Sequence, residues 1–333
     1  MDKLLEIKNL KTYFYKNQEV IPAVDGISFC VKKGETVAIV GESGSGKSIT
    51  ALSILGCIPS PPGKVEGGEI IFEGNNLFER SKKEMRNIRG NEISMIFQEP
   101  MTSLNPVYTI GRQLSEVFEL HQGMKRKEGL KKAAELLRIV GIPSPEERAK
   151  QYPHQMSGGM RQRVIIAMAL ACRPKLIIAD EPTTALDVTV QAQILDLIKN
   201  LKEEIGTSML LITHDLGVVA EMAEKVIVMY AGKIVESAGV QDIFKDPKHP
   251  YTRGLLSSMP SLNSTNKRLN TIEGVVPKPT EFPVGCRFNP RCEFAKKICI
   301  NSEPPLCNIG DRSLSCWMET QEYIEEANDE YSA

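Results

Sequence analysis

Val37-Ala-Ile-Val-Gly41-Glu-Ser-Gly-Ser-Gly-Lys47-Ser48 decides how the chain folds around it. The first four residues are apolar and mostly β-branched, which reads as a short buried strand. Gly41, Gly44 and Gly46 follow, with Ser43 and Ser45 between them, and complete the spacing G-x-x-x-x-G-K-[ST]. Glycines there let backbone N–H groups turn inward around an anion without a Cβ clash. Ser48-Ile49-Thr-Ala-Leu-Ser-Ile-Leu55 then opens a helix, whose first N–H groups and dipole favour phosphate. Strand, loop and helix together predict a nucleoside triphosphate site, with Lys47 on the β- and γ-phosphates and the Ser48 hydroxyl on Mg²⁺.

Working outward, Lys175-Leu-Ile-Ile-Ala-Asp180-Glu181-Pro182 reads as another buried strand, this one ending in two acids. Burying an unpaired carboxylate is costly, so the pair needs a cation or polar partners. In a parallel α/β sheet that end of a strand is where ligands bind. Asp180 is assigned to the Mg²⁺ shell, through water, and Glu181 to polarising the attacking water. Ser157-Gly158-Gly159 precedes the apolar run Val164-Ile-Ile-Ala-Met-Ala-Leu170, so Ser157 caps a helix beside bare glycine backbone. His214 follows the strand Met209-Leu-Leu-Ile-Thr213. A lone histidine there is ordinarily a satisfied core residue, and only its company argues for a role.

That company resembles the ATP-binding subunit of an ABC transporter. Gly41–Ser48 is similar to the Walker A motif and Leu176–Asp180 to Walker B. Ser157-Gly-Gly-Met160-Arg-Gln resembles the family signature, with Met160 where glutamine is usual. Gln98 in Ile96-Phe-Gln-Glu-Pro100 resembles the Q-loop, Ala185-Leu-Asp187 the D-loop, and His214 the switch histidine. The six stand in family order and span roughly residues 5–240. The resemblance implies an α/β P-loop NTPase of ABC type: a mixed or parallel sheet core with antiparallel strands, plus an inserted helical lobe at about 100–165. It implies that Gly41, Ser43, Gly44, Ser45, Gly46, Lys47, Ser48 and Ile49 bind ATP. Gln98 joins Ser48 and Asp180 around Mg²⁺ and senses a membrane subunit. Glu181, His214 and Lys47 are the catalytic set. Ser157, Gly158 and Gly159 face the γ-phosphate held by a second such subunit, and Asp187 addresses that subunit. Adenine needs a flat apolar surface. The family's stacking aromatic falls within Tyr13-Phe14-Tyr15, where the spacing from Leu10 favours Phe14.

The whole chain sets bounds. Its 333 residues suffice for a large core and a second, smaller unit. A hydrophobic content of 41% and a charged content of 25% are ordinary for a globular protein. A net charge of −1 implies no broad polybasic face for nucleic acid or anionic lipid. No apolar stretch approaches the roughly 18 residues of a membrane span, and Met1-Asp-Lys-Leu-Leu-Glu lacks a signal peptide's build. The expectation is a peripheral protein on the cytoplasmic face of the inner membrane. Residues 3–75 read as strand-rich, 110–150 as charged and helical with a solvated face, and Gln241–Met259 as a terminal helical pair. Polar Ser261–Asn266 reads as a linker. The ATP-binding domain is therefore placed at 1–260, and the linker with a loop-rich, cysteine-containing extension at 261–333.

Cys30, Cys57 and Cys172 stand singly among apolar residues and read as reduced core positions. Cys286, Cys292, Cys299, Cys307 and Cys316 crowd the tail. A reducing compartment disfavours disulfides, which leaves an iron–sulfur cluster, zinc or scattered free thiols. Gly285-Cys-Arg-Phe-Asn-Pro-Arg-Cys292, Glu303-Pro-Pro, Ser315-Cys316 and His249-Pro-Tyr-Thr resemble the C-terminal region of dipeptide and oligopeptide importer ATPases. That resemblance implies a [4Fe–4S] cluster on Cys286, Cys292, Cys299 and Cys316, with Cys307 outside the set. It implies peptide import driven by ATP hydrolysis, a paralogous second ATPase subunit, two membrane permease subunits and, indirectly, an extracytoplasmic peptide-binding protein. The same motor serving nickel or another small solute is the alternative. A soluble ABC-type ATPase of DNA repair or translation fits less well, because the chain has one such domain and no long insertion.

Overall fold

A computed structural model describes residues 2–98, 103–184, 186–259 and 271–324. The expected linker Ser261–Asn266 lies outside them, as do Ala185 and the Glu99-Pro100 end of the Gln98 segment. In chain order the strands are β1 (Lys3–Lys16), β2 (Glu19–Lys32), β3 (Thr36–Val40), β4 (Gly63–Phe72), β5 (Asn75–Asn76), β6 (Ile93–Ile96), β7 (Leu176–Asp180), β8 (Ser208–Ile212), β9 (Lys225–Tyr230), β10 (Lys233–Gly239), β11 (Cys307–Ile309) and β12 (Arg312–Leu314). The chain divides into two compact units that interleave in sequence: Met1–Leu5, Val31–Thr36 and Phe72–Ile212 in one, Glu6–Cys30, Val37–Ile71 and Thr213–Ala333 in the other.

The first unit is built on parallel β6, β7 and β8, in register from Ile93↔Leu176 and from Leu176↔Ser208. All five residues of β7 and of β8 are buried. Such continuous apolar strands are those of a sheet covered on both faces. Among the helices of this unit are Ile110–Gln122, Arg126–Ile139 and Gly158–Leu170. Thr109 caps the first by accepting the Arg112 N–H, and Gly123 ends it at φ 65°. The second buries Gly129, Ala133 and Leu137 at a spacing of four, while Lys127, Lys131, Lys132 and Glu135 stay exposed. The charge run is a solvated face, as its sequence implies.

In the second unit β3 runs parallel to β9 from Val37↔Lys225 to Val40↔Val228. β9 pairs antiparallel with β10, β10 with β12, and β12 with β11. The cysteine-bearing extension thus adds a hairpin to the edge of β10. Strands β2, β1 and β4 pair in that order in a separate sheet. The core joins Val40, Val226 and Val228 to an aromatic group in which Tyr230, Tyr251 and Phe288 pack with ring centroids 4.6–5.4 Å apart. The expected helical pair is Val240–Lys245 and Pro250–Ser257, the latter capped by His249 Nδ1 accepting the Tyr251 N–H. The reading of the three single cysteines as core residues is corrected. Cys57 is exposed and Cys172 only half-buried because each lies just past the end of a helix, and Cys30 is half-buried because it points to the outer face of β2, between buried Phe29 and Val31.

Candidate nucleotide site

The phosphate loop leaves β3 at Gly41, whose φ is 152° and whose missing Cβ would lie 2.1 Å from the Met229 carbonyl oxygen. No side chain fits there. Gly46 begins the helix Lys47–Ile54 at φ 101°, with the Ala23 carbonyl oxygen 2.4 Å from its would-be Cβ. Lys47 is buried, and its Nζ donates to the carbonyls of Gly41 (2.7 Å) and Glu42 (2.9 Å) and to Ser45 Oγ (3.4 Å). The ammonium is therefore held inside the curve of the loop. Ser43 and Gly44 are exposed and Ser45 is buried. Ile49 is half-buried on the helix.

Phe14 shares the inward face of β1 with Leu10 and Thr12, and the Thr12 hydroxyl meets Ser53 Oγ of the phosphate-loop helix at 2.8 Å. Its ring edge lies 2.9 Å from the would-be Cβ of Gly63. Tyr13 and Tyr15 are occupied otherwise: their hydroxyls donate to Asp25 Oδ1 at 2.7 Å and Glu66 Oε1 at 2.5 Å. His214 lies exposed two residues beyond the end of β8.

In the other unit Asp180 ends β7 and is 5% exposed. Glu181 follows with φ 46°, a left-handed backbone that non-glycine residues seldom take. Its N–H donates to the Ile212 carbonyl at 2.8 Å. Its carboxylate accepts from Gln98 Nε2 (2.9 Å) and Thr184 Oγ1 (2.9 Å). The structure thus brings Gln98 and Glu181 together. Ser157 caps the helix Gly158–Leu170 by accepting the Met160 N–H at 3.3 Å. A Cβ on Gly159 would come 2.9 Å from Val190 Cγ1, and one on Gly158 3.9 Å from Leu186. Asp187 caps Val188–Ile205 by accepting the Val190 N–H at 2.9 Å. The Ser157-Gly158-Gly159 segment therefore packs beside the start of that helix.

Sequence reasoning missed three contributors. Thr184 is one. Buried Gln162 donates to the Pro182 carbonyl at 2.5 Å, bracing the turn after Glu181. The third is distant in sequence: the Glu42 N–H donates to Tyr251 Oη at 2.8 Å, and Arg291 holds the Glu42 carboxylate. His249-Pro-Tyr-Thr marked the neighbourhood of Tyr251 but not its partner.

In the extension, Cys299 and Cys316 are buried, and Cys286 and Cys292 half-buried. Burial pushes the thiols up, Cys286 to about 11 and Cys316 to about 12; Cys292 and Cys299 raise Cys286 further, and Cys286, Cys292 and Cys299 raise Cys316. Cys292 is raised by burial too. Backbone N–H groups of Phe288, Phe294 and Met318 point at these sulfurs and oppose the rise. Thiols with N–H donors beside them are the donor type a Cys₄ cluster takes. Among the described residues, no group of three or more His, Cys, Asp or Glu stands in a ligating arrangement. Cys307 opens β11 opposite Leu314.

A glycine-lined loop after β3, a strand ending at Asp180 with Glu181 just beyond it, and a serine-capped helix from Gly158 are the parts of an ABC-type ATPase. The comparisons agree. Residues 24–184 match the ABC transporter family and residues 235–299 the oligopeptide/dipeptide transporter C-terminal region. The chain is 55% identical over 328 residues to the oligopeptide transport ATP-binding protein AppD of Bacillus subtilis, covering 98% of this chain and all of that one. It is 51% identical over 313 residues to the dipeptide transport ATP-binding protein DppD of Haemophilus influenzae, covering 94% of each. The dimeric, ADP- and phosphate-bound ATP-binding cassette MJ0796 superposes with a TM-score of 0.63 at 33% identity, covering 71% of this chain and 98% of that one. This chain belongs to the ABC transporter ATPases, in the branch that carries the oligopeptide/dipeptide transporter C-terminal region.

Proposed function

We propose that the chain is the nucleotide-binding subunit of a peptide importer, hydrolysing ATP to drive oligopeptides or dipeptides across the cytoplasmic membrane. The observation that carries this is similarity over nearly the whole length, extension included, to relatives named as oligopeptide and dipeptide transport ATP-binding proteins. Lys47 and the loop N–H groups receive the β- and γ-phosphates, and Phe14 takes the adenine face. Ser48, Gln98 and Asp180 complete the Mg²⁺ shell. Glu181 accepts the proton of the attacking water, and His214 holds the γ-phosphate. Ser157, Gly158 and Gly159 bind the γ-phosphate of a partner ATPase subunit of related sequence, across an interface reached by Asp187. Among the described residues no helix is long and apolar enough to cross a membrane. Membrane attachment at the cytoplasmic face therefore falls to two permease subunits, fed by an extracytoplasmic peptide-binding protein.

Cys286, Cys292, Cys299 and Cys316 would hold a [4Fe–4S] cluster. Such a cluster would supply iron–thiolate bonding that ties the extension's segments together. Anaerobic purification with iron and acid-labile sulfide analysis tests this: about four of each per chain supports it, and stoichiometric zinc or no metal refutes it. For the transport function, ATP turnover by the full complex in vesicles is measured with peptide and binding protein present. Peptide-stimulated turnover with peptide accumulation is expected. Stimulation by nickel or another small solute alone would overturn the peptide reading.

A further inference from the structure

Glu42, the second residue of the phosphate loop, is gripped from the C-terminal extension. Arg291 Nη1 and Nη2 donate to its two carboxylate oxygens at 2.7 and 3.0 Å. This is a fork-on-carboxylate pairing that a lysine cannot reproduce. The arginine side chain is 4% exposed. Its other contacts hold the guanidinium in place: Nε donates to the Glu273 carbonyl at 3.0 Å, Nη2 also to the Ile272 carbonyl at 3.3 Å, and Nη1 to Tyr230 Oη at 3.4 Å. Glu42 is fixed at two further atoms, its N–H by Tyr251 Oη and its carbonyl by Lys47 Nζ. A continuous set of contacts therefore runs from Arg291 through Glu42 to the loop ammonium. Arg291 also lies inside the cysteine segment. Its N–H donates to the Phe288 carbonyl at 3.0 Å, and the next residue, Cys292, donates to the Asn289 carbonyl at 3.2 Å.

The charge arithmetic gives the contact a purpose. A carboxylate in a loop that receives a triphosphate repels it, and at 30% exposure Glu42 is only partly screened by water. Arg291 neutralises Glu42 and turns it into a strut.

We propose that Arg291 is a positioning residue for ATP binding: it neutralises Glu42 and fixes the phosphate loop, so that nucleotide affinity depends on the fold of the cysteine-bearing extension. It acts through Glu42 without touching nucleotide, and the proposal rests on ATP binding at Gly41–Ser48. The experiment uses the full chain, a fluorescent ATP analogue with Mg²⁺, steady-state KM and kcat, and a melting curve for each variant. Arg291→Ala is expected to raise Kd and KM about tenfold with kcat within about twofold, because it leaves Glu42 unneutralised. Arg291→Lys, which retains the charge without the fork, falls between. Adding Glu42→Gln to Arg291→Ala is expected to restore most of the affinity, the non-additivity expected of a coupled pair. A merely structural arginine would lower the melting temperature and leave Kd within about twofold in the variants that fold. That result, or a double variant binding no better than Arg291→Ala, overturns the proposal. If Arg291→Ala fails to fold, Arg291→Lys decides by the same criterion. Failure of the unaltered chain to bind the analogue would instead refute the ATP site itself.

Discussion

Glu181 is where backbone strain and the proposed chemistry coincide. Its left-handed φ of 46° costs energy that only surrounding contacts can hold in place. Gln98 and Thr184 hold the carboxylate, and the Ile212 carbonyl holds the N–H. Glu181→Gln keeps the size and loses the carboxylate proposed as the base. Turnover is expected to fall at least about a hundredfold while MgATP binding persists and ATP-bound dimers accumulate, read by phosphate release and size-exclusion chromatography. Near-normal turnover would remove Glu181 from the general-base role. Gly41 is constrained by space rather than charge. With the Met229 oxygen 2.1 Å from the would-be Cβ, Gly41→Ala must displace backbone. Loss of nucleotide binding in equilibrium titration is the expected result.

At the scale of elements, caps decide where the functional helices begin. Asp187 caps Val188–Ile205, so Asp187→Ala is expected to cost about 1 kcal/mol in chemical denaturation, quite apart from any effect at a subunit interface. His249 caps Pro250–Ser257 through an unprotonated Nδ1 and is 1% exposed. Burial, helped by the Arg253 charge, depresses its ionisation from 6.5 to about 3. The folded state thus keeps the ring neutral while the unfolded chain takes up a proton. Stability from this site is fully present well above pH 6.5 and is lost progressively as pH falls through 6.5 towards 3. His249→Asn offers a cap acceptor that does not titrate. Denaturation midpoints followed from pH 7 to 5 should fall less steeply in that variant, and parallel curves would refute the assignment.

At the scale of the molecule, the extension is part of the second unit's structure. Phe288 completes the Tyr230–Tyr251 aromatic group, and β12 covers the edge of β10. Three arginines reach back from the extension: Arg287 to Asp25, Arg291 to Glu42 and Arg312 to Glu236. Glu236 is fully buried, so removing Arg312 leaves a buried charge with only the Lys248 and His249 N–H groups. Such unpaired charges cost roughly 3–5 kcal/mol. A chain ending at residue 270 is therefore expected to be insoluble or to melt well below the full chain in calorimetry. An unchanged melting temperature would show the extension to be independent.

Much of this was legible locally. Strands β3, β7 and β8, the phosphate-loop helix, the Ser157 cap and the solvated helix face all follow from short-range rules: apolar runs, cap residues and a helical repeat acting over a few residues. The elements around the chemistry were therefore determined by sequence alone, as was membership of the ATPase family. The exposure of Cys57 was not, because an apolar neighbourhood in sequence says nothing about where an element ends in space. Nor were the partners of Glu42, which lie 209 and 249 residues away. Likewise the left-handed Glu181, the Gln162 brace and the burial of Glu236 depend on which segments pack together. Only the tertiary structure decided those, because a carboxylate's partner is chosen by distance in space, and spacing along the chain carries no information about it.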